Sequence, residues 1–162
     1  MFGIAANPKS RHAIHNLQHF KQRHGPFLLL ADSVSTALKQ ARYITPTLRH
    51  MAKQHWPGAV TLIFPARKRL SSACYQHGNI AVRVDADPES RRLAHVIGGL
   101  LLSSSFNRRG KPIMPLTRPV QHRFSRHLAT ILEKKTGRKS DHTPQQVSKI
   151  FSLQRNSIKR LR

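Results

Sequence analysis

Apolar positions recur at helical spacing over residues 10–22. Ala13, Ile14, Leu17 and Phe20 form one stripe there, and His12, His15 and His19 fall on the opposite side. The pattern predicts a helix. The next apolar run, PFLLLA at 26–31, is short and continuous, as in a buried strand. Helical spacing returns at 33–42 and 46–55. The second of these is opened by Thr45-Pro46, an N-cap followed by a proline at the first helical position. Trp56-Pro57-Gly58 predicts a turn, and AVTLIF (59–64) and NIAVRV (79–84) predict strands. Asp87-Pro88 caps a helix running to about Ile97, Gly98-Gly99 ends it, and LLLSS (100–104) is a further strand. Residues 107–118 have the Gly, Pro and basic composition of a loop. Residues 119–135 form a basic amphipathic pattern carrying Phe124, Leu128, Ile131 and Leu132, and a short element is expected at 147–153. Helix-like and strand-like segments alternate, which predicts an α/β layered domain.

At 162 residues, 38% of them apolar, the chain has the size and core material of one domain. Charge changes the picture more. There are 29 Lys and Arg against six acids, a formal charge of +23 and a pI of 11.9. Such a chain repels itself unless an anionic partner neutralises it, and nucleic acid is the usual partner. Residues 90–162 hold much of the excess, with Glu133 and Asp141 as their acids. The ten aromatic residues form no stacking platform visible in the sequence, so contact with RNA is expected to run through phosphates. One cysteine, Cys74, excludes an internal disulfide and suits a reducing cytoplasm. No apolar run is long enough to span a bilayer. His12, His15 and His19 share a helix face, but without a nearby Cys or carboxylate they read as a solvated surface and not as a metal site.

Four local patterns suit an anionic ligand. Lys21-Gln22-Arg23 places a point charge and a planar fork beside a turn. Taken alone, such a pair at a helix end serves equally to favour the helix dipole. Trp56-Pro57-Gly58-Ala59-Val60-Thr61 is a turn leading into a buried strand. Its plain reading is a rigid turn with Trp56 in the core. Arg83, flanked by apolar strand residues, needs an anion or an acid such as Asp85 or Asp87. Ser103-Ser104-Ser105-Phe106-Asn107-Arg108-Arg109-Gly110 lies where a strand ends and a loop begins, the place where open α/β sheets hold ligands. It also reads as a serine-rich turn without function.

In order and spacing these segments resemble the YrdC/TsaC family of threonylcarbamoyl-AMP synthases. Lys21-Gln22-Arg23 and Ser105-Phe106-Asn107 match that family's K-x-R and S-x-N motifs. WPGAVTLIF, NIAVRVDADP and SSSFNRRGKP resemble its W-P-G-x-x-T, T-x-A-V-R-V-P-x-x-P and S-T-S-A-N-x-S-G-x-P segments, and MFGIAANPKSRHAI is similar to Y-G-L-x-x-D-P-x-x-x-x-A-I. The likeness covers residues 1 to about 112 well. It implies a twisted mixed sheet flanked by helices, with a YrdC-like domain over 1–135 and a basic tail, expected to be partly mobile, over 136–162.

The resemblance further implies synthesis of threonylcarbamoyl-AMP from L-threonine, bicarbonate and ATP. Mg²⁺ is expected to be carried by the ATP phosphates. A threonylcarbamoyl-transferase partner and tRNA or double-stranded RNA are the implied macromolecular partners. Lys21 and Arg23 are expected at the phosphates or the carbamate, and Asn79, Ser105 and Asn107 at the nucleotide. Thr61, Arg83 and Ser103 are expected at threonine.

Departures from the family pattern set up an alternative. The family's first strand and its P-T-[DE]-[ST] loop precede the segment with which this chain opens. R-P-x-x-K-P-L is shortened here to Arg23-His24-Gly25-Pro26-Phe27. Arg109 replaces the second serine of S-A-N-x-S-G, and P-S-T-[IV] survives only as Pro144-Gln145-Gln146-Val147. Either Met1 is an internal residue of a longer protein, or the chain is a truncated, non-catalytic paralogue that holds RNA or ribosomal particles through a basic face.

Overall fold

The structure, a computed structural model, describes residues 3–124, 148–154 and 157–161. Its centre is one eight-stranded mixed sheet. In chain order, β1 (Gly3–Ala6) leads into α1 (Arg11–Lys21), then β2 (Leu28–Ala31), α2 (Val34–Leu38), α3 (Pro46–His55) and β3 (Val60–Pro65). A short β4 (Tyr75–Gln76) and β5 (Asn79–Arg83) follow, then α4 (Pro88–Val96), β6 (Leu100–Ser105), α5 (Arg118–Phe124), β7 (Lys149–Gln154) and β8 (Ser157–Arg160). The spatial order is β1-β6-β2-β5-β3-β7-β8, with β4 paired to β5. The β2–β5 and β3–β7 pairs are parallel and the other pairs antiparallel. This is the mixed α/β architecture that the sequence predicts.

Local chemistry explains most boundaries. Ser10, Ser33, Thr45 and Asp87 cap α1 to α4, each accepting from a backbone N–H three residues on. The helix expected over 33–42 stops at Leu38. Ala41 bridges to Ala66 and Arg42 N donates to Pro65 O, so the end of β3 captures the backbone before the helix can continue. β1 and β4 are too short to show a period, and the sequence reading did not separate them from loops. The element expected at 147–153 is β7, which with β8 extends the same sheet beyond β3. The remainder of the predicted 119–135 helix and the Pro144–Val147 motif lie outside the described residues, as does the boundary at 136.

The two faces of the sheet differ. Phe27, Leu29, Leu62, Phe64, Ile80, Val82 and Leu102, all almost fully buried, point to the face covered by α1, α2 and α3. Burying each such side chain contributes about 1.5–3 kcal/mol before entropy. On the other face, α4 packs Leu93, Ala94 and Ile97 against Leu28, Leu30 and Leu101. Strand alternation places Ser103, Ser105, Arg83, Asn79 and Thr61 on that second face. Five of the residues proposed from sequence therefore share one surface. Among the described residues, no helix is long and apolar enough to cross a membrane.

Candidate active site

The site begins where α1 ends. Gln22 takes a left-handed conformation at the helix C-cap, its N–H bonding back to Gln18 O and His19 O. The turn drives the Lys21 side chain inward, to 4% exposure. Gly25 then passes so close to Ala73 that a Cβ would lie 2.7 Å from the Ala73 carbonyl oxygen, and its φ of +128° disfavours any side chain. This fixes the entry into β2.

Opposite, β6 ends in Ser105, and Phe106 anchors the loop that follows. Its ring stacks on Phe20 at 5.2 Å, and both meet Phe124 edge-on. This apolar trio holds Ser105 and Asn107 beside Lys21. Lys21 Nζ donates to Ser105 O at 2.9 Å, Asn107 O at 2.6 Å and Asn107 Oδ1 at 2.6 Å. Ser105 Oγ donates to the same Asn107 Oδ1 at 2.6 Å, and Asn107 Nδ2 donates to Lys111 O at 2.6 Å. An ammonium has three N–H donors, and all three are used here. Burial, and secondarily the charge of Arg23, bring the Lys21 amine down to about 8.

Arg23 lies differently. Its guanidinium sits 4.8 Å from the Phe27 ring centroid, and its Nε is buried without a hydrogen-bond partner. Burial lowers its affinity for a proton, and the nearby charge of Arg109 lowers it further. Arg109 is tied to the site by its backbone, whose N–H reaches Lys21 O at 3.3 Å. Two guanidiniums and an ammonium are thus gathered around the K-x-R turn. The sequence reading treated Arg109 only as a departure from a motif. Its signal was the unusual Arg108-Arg109 pair beside an S-x-N segment.

The other proposed residues lie on the second face of the sheet, opposite the one that α1 covers. Arg83 donates from Nη2 to Asp85 Oδ2 at 2.6 Å and from Nη1 to Ser148 Oγ at 2.7 Å, while its Nε is buried without a partner. Of the two acids considered for Arg83, Asp85 is the partner; Asp87 instead caps α4. Thr61 is buried at 4% exposure, in the row of the sheet that Arg83 occupies. Ser103 is half-buried two residues along β6 from Leu101. Asn79 starts β5, at the sheet end that also holds Ser105. Trp56 packs in the core and donates Nε1–H to Val60 O at 2.8 Å, as the rigid-turn reading expects. His12, His15 and His19 are exposed. Among the described residues no three His, Cys, Asp or Glu side chains converge on a metal position.

The Sua5/YciO/YrdC family model, described as telomere recombination, matches residues 1–162. The threonylcarbamoyl-AMP synthase of Idiomarina loihiensis is 32% identical over 142 residues, covering 85% of this chain and 76% of the relative. That of Photobacterium profundum is 30% identical over 157 residues, covering 94% and 84%. P. abyssi Sua5, solved in complex with L-threonine, superposes with a TM-score of 0.77 at 22% identity, over 99% of this chain and 46% of that one. This chain therefore spans about half of that larger protein while keeping its fold. The K-x-R and S-x-N residues meet in space, and the family model covers every residue: the chain belongs to the Sua5/YciO/YrdC family.

Proposed function

We propose that the chain is a threonylcarbamoyl-AMP synthase acting in tRNA threonylcarbamoyladenosine modification. The observation that carries the reading is the clamp of Lys21 on Ser105 and Asn107 beside Arg23 and Arg109, a cationic turn that suits a nucleotide phosphate chain. The names of the bacterial relatives and the threonine complex of the archaeal neighbour support it.

The threonine amine and bicarbonate condense to a carbamate with loss of water. A carbamate oxygen then attacks the α-phosphorus of ATP, the bond to the β-phosphate oxygen breaks, and pyrophosphate leaves. Little proton transfer is needed, so positioning and charge neutralisation dominate. Arg23 and Arg109 supply guanidinium donors to the phosphates. Ser105, Asn107 and Asn79 border the nucleotide. Arg83, Thr61 and Ser103 border threonine, with the charge of Arg83 set against its carboxylate. Mg²⁺ is assigned to the phosphate oxygens of ATP, and among the described residues no three carboxylate, His or Cys side chains converge to hold it instead. The product passes to a threonylcarbamoyl-transferase in the cytoplasm, and tRNA or double-stranded RNA binds the basic surface in a salt-dependent way.

The test is pyrophosphate release from ATP with threonine and bicarbonate present or omitted. Release that requires threonine supports the synthase. ATP turnover indifferent to threonine sinks it. A second reading, a non-catalytic RNA-binding module, is favoured by the charge of +23. It predicts no turnover with salt-dependent RNA binding retained.

A further inference from the structure

At the sheet end that carries Asn79, the chain encloses a groove of about 700 Å³. Arg42, Arg67, Lys68 and His77 line it together with Asn79. Its frame is rigid. Arg42 N donates to Pro65 O, Arg67 N to Gln40 O and Ala66 N to Gly78 O, all at 2.9–3.0 Å, and Arg67 Nε donates to Ala41 O at 3.2 Å. None of the lining residues is acidic. The described acids are engaged elsewhere: Asp32 with His95, Asp85 with Arg83, and Asp87 and Glu89 at the start of α4. Cations held together on a fixed frame without acids are an unneutralised anion site.

Beside the groove stands Tyr43, 70% exposed, with the Arg42 guanidinium 5.5 Å from its ring centroid. Ile44, next in the chain, is 44% exposed. A large aromatic left in water next to an anion site is the pairing that single-stranded nucleic acid uses, with base on ring and phosphate on cation. A duplex keeps its bases stacked inside and offers nothing to Tyr43. The groove spans the ends of β3 and β5, three and two strand spacings from β6, about 14 and 10 Å, so its cations stand apart from the Lys21 turn while Asn79 borders both.

We propose that this groove and Tyr43 form a binding site for an unpaired RNA segment. Phosphodiesters lie along Arg42, Arg67, Lys68 and His77, and one base stacks on Tyr43. The stacking contact is confined to this one residue, and the remaining contacts run through phosphates, as the sequence predicts. The proposal rests on the RNA-binding part of the proposed function and is independent of the adenylate chemistry.

The experiment is fluorescence anisotropy of the full chain with a labelled single-stranded oligoribonucleotide and with its duplex, and competition by inorganic polyphosphate. Tyr43→Ala is expected to weaken single-strand binding at least fivefold, from about 1–3 kcal/mol of stacking per base, and to leave polyphosphate competition unchanged. The Arg42→Gln/Lys68→Gln double variant is expected to weaken both and to flatten the salt dependence by about 1.4 in log–log slope. Unfolding midpoints confirm that both variants are folded. Unchanged single-strand binding in both variants overturns the proposal. So does an equal loss of duplex or polyphosphate binding on Tyr43→Ala, or preferential binding of phosphatidylserine vesicles over RNA. Threonine-dependent pyrophosphate release is measured in parallel. Its absence from the wild type, with the RNA results as expected, removes the synthase reading and leaves this one standing.

Discussion

Lys21 Nζ lies 2.6 Å from Asn107 Oδ1 across 86 positions of sequence, and that same oxygen accepts from Ser105 Oγ. With its other two donors on the Ser105 and Asn107 carbonyls, Lys21 acts as a brace for the S-x-N loop. Arg23, whose Nε has no protein partner, is thus the residue we propose as the phosphate ligand. The two residues of the K-x-R motif are therefore expected to respond differently to substitution. Lys21→Met strands buried acceptors and is expected to lower the unfolding free energy by roughly 1–3 kcal/mol while abolishing turnover. Arg23→Gln is expected to abolish turnover with stability unchanged or raised, because it removes a half-buried charge beside Arg109. Urea denaturation and pyrophosphate release on the same preparations separate the two.

The Lys21 amine, brought down to about 8 by burial and then by Arg23, makes stability and activity diverge with pH. In the unfolded chain the amine titrates near its ordinary value of 10.5. Between the two values the unfolded state holds the extra proton, so the unfolding free energy rises with pH across that window. Turnover falls over the same window, because a neutral amine brings two donors to three acceptors. A pH series of denaturation midpoints from 7 to 10 is expected to rise for the wild type relative to Lys21→Met. A falling wild-type midpoint relative to that variant contradicts the buried-brace assignment.

Arg83 is held at two corners by Asp85 and Ser148, its Nε is buried without a partner, and the proposed function sets its charge at the threonine carboxylate. A lysine offers a point charge where the geometry calls for a fork. Arg83→Lys is expected to raise the KM for threonine at least tenfold with the KM for ATP changed less than threefold. Equal effects on both substrates contradict the assignment of Arg83 to the threonine carboxylate.

The sequence was legible where periodicity is long or a cap is chemically specific. α1, α3 and α4 stand within two residues of their expected ends because Ser10, Thr45 and Asp87 announce them. β1 and β4, at four and two residues, are defined by their partners and carry no period of their own. The truncation of α2 at Leu38 is a tertiary event, the capture of Ala41 by Ala66, that no local pattern encodes. The site divides in the same way. Motif spacing found Lys21 and Asn107 but not that Lys21 spends its donors on the loop, since that depends on Phe106 docking under Phe20. The groove at Arg42 and Arg67 has no local signature, because its residues come together only through the bridge between Ala41 and Ala66.

Arg109 stands at the second serine of the S-A-N-x-S-G motif that this segment resembles, and its charge depresses proton binding at Arg23. Like charges kept together without an acid cost folding free energy, and a bound polyanion turns the same repulsion into affinity. Arg109→Ser is therefore expected to move the two properties in opposite directions. The thermal midpoint without ligand rises or stays level, the KM for ATP increases severalfold, and the increase shrinks as salt is raised. Thermal unfolding and steady-state turnover at low and high ionic strength measure both. A variant with a lower midpoint and an unchanged KM shows instead that Arg109 serves the loop through its packing, and it leaves Arg23 as the guanidinium facing the phosphates.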